Sequence, residues 1–173
     1  ATPKNINVLL KQLEELIASV KNVYIRRLLD SIFSDEAFLR DFKYHPAAKS
    51  VHHSYLGGLL EHTVAVAKIG ESLCEHYPIA NKELVIAGCL LHDIGKLQEL
   101  SKLPEGDYTD LGNMLGHITI GTEQIHDHIK KIDNFPPELE TMIKHIVVSH
   151  HGEYEYGSPK RPKTIEAMIV HCA

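Results

Sequence analysis

Thirteen histidines in 173 residues are more than ordinary packing needs, and imidazole is the commonest protein metal ligand. Several stand out by type and order: His62, the adjacent pair His92-Asp93, His117 directly after Gly116, and the pair His150-His151. Neighbours on a helix point about 100° apart, so His92 and Asp93 cannot share one face, yet at a helix end both can converge on one ion. His62 falls inside an apolar helical stretch, where an imidazole without a hydrogen bond or a metal is costly to bury. It can supply the nitrogen that His92 and Asp93 lack. Each histidine taken alone reads as a satisfied core residue; the metal reading rests on the set and its order.

Mixed imidazole and carboxylate ligands accept Mn, Fe, Co, Ni or Zn. Two ions sharing a carboxylate activate water and neutralise charge on phosphate oxygens, which suits in-line hydrolysis of a phosphodiester. Lys96 follows His92 by one helical turn, so if the helix continues its ammonium points to the metal side and can stabilise transition-state phosphate charge. The plain alternative is a lysine favouring a helix C-terminus.

These residues need helices to position them. Apolar residues recur with helical spacing from Ile6 to Val20 and from Val23 to Phe33. Asp35 suits the N-cap of a short helix through Phe42, and His45-Pro46 forces an extended turn. Gly57-Gly58 opens a mostly buried helix to about Tyr77-Pro78 that carries His62. Asn81 to Leu91 reads as a core helix stopped near Gly95 by the usual glycine, with His92 and Asp93 in its last turn. Ser101 to Gly112 reads as a loop, Asn113 to Ile132 as a helix, and Pro136-Pro137 as the start of another reaching about His150. Gly152 to Pro162 is a loop, and Thr164 caps a last helix. With no strand signal or repeat, the expected fold class is all-α.

The net charge of -5 excludes a protein that holds duplex nucleic acid by charge alone. Cys74, Cys89 and Cys172 form no C-x-x-C pair, so neither a disulfide framework nor a thiolate zinc site is expected. No apolar run approaches the roughly 20 residues of a membrane span, and the start of the chain lacks a basic segment followed by an apolar stretch. A cytoplasmic protein without membrane partners is expected.

In the order H, HD, GH, HH the chain resembles the HD superfamily of metal-dependent phosphohydrolases, from Gly57 to the C-terminus. HHSYLGGLLEHT from His52, LLHDIGK from Leu90 and HHGEYEYGSPKRPKTIEA from His150 resemble the catalytic domain of YhaM-type 3'-to-5' exoribonucleases. The resemblance implies an HD-domain helical bundle: a single domain over 1–173, with short N-terminal helices in 1–45 and a metal-site core in 57–173. It implies two divalent ions, Mn²⁺ favoured. His62, His92 and Asp93 would hold one, and Asp93 would bridge to a second held by His117 and His150. His151 would be a supporting donor or an alternative ligand. Asp93 and Lys96 would be the catalytic residues. It further implies an Asp directly after Ala173 and an oligonucleotide-binding β-barrel ahead of this domain, so the chain is expected to be a piece of a longer protein.

The implied substrate is single-stranded RNA, with single-stranded DNA a related candidate. Cations along the backbone and aromatic faces under bases would grip it. Lys49, His52, His53 and Tyr55 precede the metal helix, and Tyr154, Tyr156, Lys160 and Arg161 lie in the late loop. Arg26 and Arg27 read as a solvated face or an ion pair. Exposed apolar surface on the first two helices would suit a missing domain or a homo-oligomer. Two other classes use the same nucleus: a nucleotide phosphohydrolase, which would cleave mononucleotides, and a regulatory module that binds metal or nucleotide without turnover. A cyclic-dinucleotide phosphodiesterase fits less well, because EYEYGSP follows His150-His151 where that subgroup has Gly-Tyr-Pro.

Overall fold

The computed structural model describes residues 5–49 and 55–173; His52 and His53 lie outside the described residues. The architecture is all-α, and among the described residues the only β feature is an isolated bridge between Leu100 and Tyr108.

Three short helices come first: α1 (Ile6–Ala18), α2 (Val23–Phe33) and α3 (Glu36–Tyr44). Each starts where a polar side chain accepts an orphan N–H: Asn5 from Asn7, Asn22 from Tyr24 and Ile25, and Asp35 from Phe38. Leu9, Leu13 and Leu16 of α1 and Ile25, Leu28, Leu29 and Ile32 of α2 are buried in the same core as the later helices. The Glu83 carboxylate accepts the Lys21 and Asn22 N–H groups at 2.9 and 2.7 Å, which fastens the α1–α2 turn onto the helix that opens at Lys82. Arg26 pairs with Asp30 along α2.

The remaining elements are α4 (Gly58–His76), α5 (Lys82–Leu91), α6 (Lys96–Glu99), α7 (Asp110–Ile129), α8 (Pro137–Ser149) and α9 (Ile165–Cys172). From Leu84 to Leu91 every residue of α5 is buried, as expected of a helix that is apolar all round. Helices α4, α8 and α9 pack around it.

Three local features differ from the sequence expectation. Helix α7 begins at Asp110, capped by the Thr109 hydroxyl, and its regular dihedrals break at Gly116, where φ is 76° and ψ is 160°. The four-residue α6 was not anticipated. Gly95 does not stop α5 in a left-handed conformation: α5 ends at Leu91, and Gly95 has φ of -63°. Its lack of a side chain serves packing instead. A Cβ at Gly95 would overlap the His117 carbonyl oxygen and stand 2.7 Å from the Gly121 nitrogen. Likewise a Cβ at Gly112 would overlap the Glu99 carbonyl oxygen. These two glycines let α6 lie directly on α7, which carries His117.

Because backbone cannot yield as a side-chain tip can, Gly95→Ala is expected to cost about 1–3 kcal/mol of stability. At this size that lowers the melting temperature by about 2–4 °C per kcal/mol, measurable by calorimetry.

Candidate metal centre

The Asp93 carboxylate is 3% exposed and sits in the turn between α5 and α6. Its two oxygens face different partners. Oδ2 lies 3.1 Å from His62 Nε2, 3.0 Å from His92 Nε2 and 3.4 Å from Lys96 Nζ. Oδ1 lies 3.3 Å from His117 Nε2 and 3.5 Å from His150 Nε2. Burial works against its charge, but attraction to His92, Lys96, His117 and His150 prevails and holds the carboxyl well below the usual range.

Each imidazole is aimed by its local backbone. His92 and His150 follow the C-terminal ends of α5 and α8. There the ring Nδ1–H donates to the carbonyl three residues back, Cys89 or Val147, at 2.6 Å in both cases. One contact satisfies an orphan carbonyl of the helix end and turns Nε2 inward. His117 owes its place to the break at Gly116. Its N–H leaves the helical ladder and donates to Glu99 Oε2 at 2.7 Å, and its Nδ1 lies 3.2 Å from the same oxygen. Burial opposes a charge on His117, yet Asp93 and Glu99 outweigh it and raise its pKa to about 9. Burial, with His150 and His117 nearby, pushes His151 down to about 4; burial also lowers His150. Ser158 Oγ accepts the His151 N–H, pinning the late loop.

Two clusters result. His62, His92 and Asp93 form one and His117, His150 and His151 the other, with ligand atoms in each within 4.8 Å of one another. His150 Nε2 is buried without a hydrogen-bond partner, a costly state for a polar atom that a metal ion would relieve. The donor set and this orphaned nitrogen both fit divalent metal.

Lys96 reaches Asp93 across the turn, three residues on, although α5 does not continue through it. Tyr156 lines a cavity of about 200 Å³ with His117, His151 and Leu115. Tyr55 donates to Glu61, beside His62. The other expected substrate contacts among the described residues have surroundings of their own. Lys49 pairs with Asp107 at 2.6 Å, Arg161 pairs with Glu153 and covers the Tyr154 ring, and Lys160 lines a separate cavity with His145 and Lys163. Glu99 was missed from sequence. Its signal was a carboxylate three residues after Lys96, hence near the same helix face, between Leu97 and Leu100.

The chain belongs to the HD domain family, whose description matches residues 59–173. Membership implies divalent-metal binding, and the two clusters are where the described residues offer it. The chain is 36% identical, over 99% of its length, to "3'-5' exoribonuclease YhaM" of Shouchella clausii, covering 53% of that protein. It is 34% identical over 98% of its length to the protein of that name from Listeria innocua, covering 53% of it, and 37% identical over 98% to that from Oceanobacillus iheyensis, covering 52%. The chain thus spans about half the length of the curated relatives it matches. No solved structure matches it.

Replacing Glu99 by Gln should weaken divalent-metal binding at the His117 cluster by about 10–100-fold, as loss of an orienting carboxylate does at other metal sites. Equilibrium dialysis against Mn²⁺ reads this directly.

Proposed function

We propose that this chain is the catalytic domain of a metal-dependent 3'-to-5' exoribonuclease that removes nucleotides from single-stranded RNA, with single-stranded DNA as a secondary substrate. The observation that carries the hydrolytic reading is the buried Asp93 carboxylate with its two oxygens turned to two sets of imidazoles. The choice of RNA is supported by the relatives named 3'-5' exoribonuclease. In this reading His62, His92 and Asp93 hold one ion, His117, His150 and His151 hold a second, and Asp93 is shared; Mn²⁺ is favoured.

Such ions, when bound, supply Lewis acidity that brings water toward ionisation at neutral pH and offsets charge on phosphate oxygens. The chain's own groups do the rest. Asp93 stays ionised and holds both sets in register. The Cys89 and Val147 carbonyls fix the ring orientation of His92 and His150. Lys96, its ammonium 3.4 Å from Asp93, meets the charge that grows on the phosphate. The cavity beside His117 and His151 receives the terminal base against Tyr156 and Leu115. We propose a cytoplasmic setting, which the three free cysteines support.

The test is incubation with Mn²⁺ and 5'-labelled single-stranded RNA, with and without a 3'-phosphate block, beside a panel of mononucleotides. Laddering from the free 3' end that vanishes in Asp93→Ala is the expected result. Turnover of mononucleotides alone would replace the reading with a nucleotide phosphohydrolase, and bound metal without any turnover would replace it with a binding module. Lys96→Met should lower kcat by about 10²–10³-fold with metal still bound, as measured by single-turnover kinetics and dialysis.

A further inference from the structure

A cavity of about 330 Å³ lies at the end of α3, and none of the proposed metal ligands lines it. One wall is Arg40, Asp41 and Tyr44 of α3, the other is Lys102 and Leu103 after α6, and Leu56 is also part of the lining. The buried His45 ring joins the walls, with Nδ1 2.9 Å from the Pro46 carbonyl oxygen and Nε2 3.0 Å from that of Leu100. His45 thereby ties the end of α3 to the end of α6.

Both elements that leave this cavity run to the metal centre. Leu56 leads into α4, where His62 lies four residues past the first helical residue, Gly58, roughly 6 Å along the axis. Leu100 closes α6, whose first residue, Lys96, touches Asp93. The cavity is the neighbour of the site along the chain in both directions.

Its chemistry is that of a nucleotide subsite. Tyr44 is 44% exposed, with the Lys43 ammonium 5.2 Å from its ring centroid. Arg40 makes no ion pair among the described residues, whereas Lys102 is held by Asp41 at 3.0 Å. Leu56 and Leu103 add apolar surface. Alongside, Lys49 lies 5.7 Å from the Tyr108 ring. In a chain of net charge -5, the lining itself carries Arg40 and Lys102 against Asp41, with Lys43 on the same helix. Cations interleaved with exposed rings are what single-stranded nucleic acid uses, the rings under bases and the cations along phosphates.

We propose that this cavity is a subsite for a nucleotide of single-stranded RNA on the 5' side of the residue being removed; the assignment rests on the exoribonuclease reading. A base stacks on Tyr44 above Leu56 and Leu103, and the free Arg40 guanidinium meets a backbone phosphate. Stacking on a ring with an apolar floor tolerates any base, as an enzyme that works along a strand requires.

The experiment measures Kd for 5'-fluorescent phosphorothioate RNA strands, from the dinucleotide to the dodecamer, by fluorescence anisotropy with Mn²⁺ present. For the wild-type chain, Kd should drop by about tenfold at the length that first reaches the cavity. Tyr44→Ala and Arg40→Glu should each erase that drop while the dinucleotide binds as before, and Tyr44→Phe should keep it. If Tyr44→Ala fails to fold, Arg40→Glu on the exposed face of α3 carries the test alone. A drop that persists in the variants, or one that weakens equally at every length, overturns the subsite. Saturable binding of AMP that Tyr44→Ala abolishes, without any length dependence, assigns the cavity to a free nucleotide and also overturns it. If wild-type protein ladders RNA from the 3' end but shows no drop, the subsite falls and the exoribonuclease reading stands; if it cleaves no RNA, both fall.

Discussion

Taking a carboxylate out of water costs several kcal/mol even after relaxation, and an all-α core has little to offer it in return. Asp93 is nonetheless almost fully buried and ionised. What surrounds it is an unusual concentration of nitrogens: those of four imidazoles and one ammonium lie within 3.5 Å of its two oxygens. These groups come from α4, the end of α5, α6, α7 and the end of α8. Five elements therefore converge on one charge. Apolar residues of the same volume would commonly give an equal or better core, so this arrangement is better understood as a site that the fold accommodates than as a device that stabilises it.

Convergence at this precision needs rigid aiming, and two devices supply it. The first is the helix C-terminus, used twice, where His92 and His150 each satisfy a carbonyl three residues back and so expose Nε2. A helix end also carries partial negative charge, which favours a cation beside it. The second is backbone contact without side chains. Gly95 and Gly112 remove the Cβ atoms that would hold α6 away from α7, and the positive φ at Gly116 frees the His117 N–H for Glu99. Glu99 then acts as the cap of the restarted helix and as the acceptor that orients the ring.

Much of this was legible from local pattern. The apolar spacing of α1, α2 and α5 and the Asp35 and Thr164 caps depend only on neighbours in sequence, and these elements stand where expected. The histidines and Asp93 were legible as a set because their types and order resemble a known family. What escaped was tertiary. Nothing local distinguishes Gly95 as a packing glycine from a helix stop, since that depends on a carbonyl of α7. Gly116 inside an apolar period reads as a tolerated helix residue, and its break follows from an acceptor on another element. A four-residue helix such as α6 is too short to show a period. The charges of Lys49 and Arg161 were visible, but their capture by Asp107 and Glu153 was not.

That capture bears on how a polyanion could be held by a chain of net charge -5. At physiological ionic strength, exposed charges act over about 8 Å, so the chain-wide balance matters less than the groups facing the strand. Several surface cations are already paired within the chain: Lys49, Lys102 and Arg161 each meet a carboxylate. In the proposed reading, attraction for a strand would then centre on the metal site with Lys96 and on Arg40, unpaired among the described residues, and beyond them a strand would meet the exposed rings of Tyr156 and Tyr44. Stacking supplies affinity without reading sequence, and its energy per base is modest. In the exoribonuclease reading, a strand held in this way would slip forward after each cut without giving up a network of fixed phosphate pairs, so weak general charge and exposed rings would suit repeated cleavage better than a basic groove.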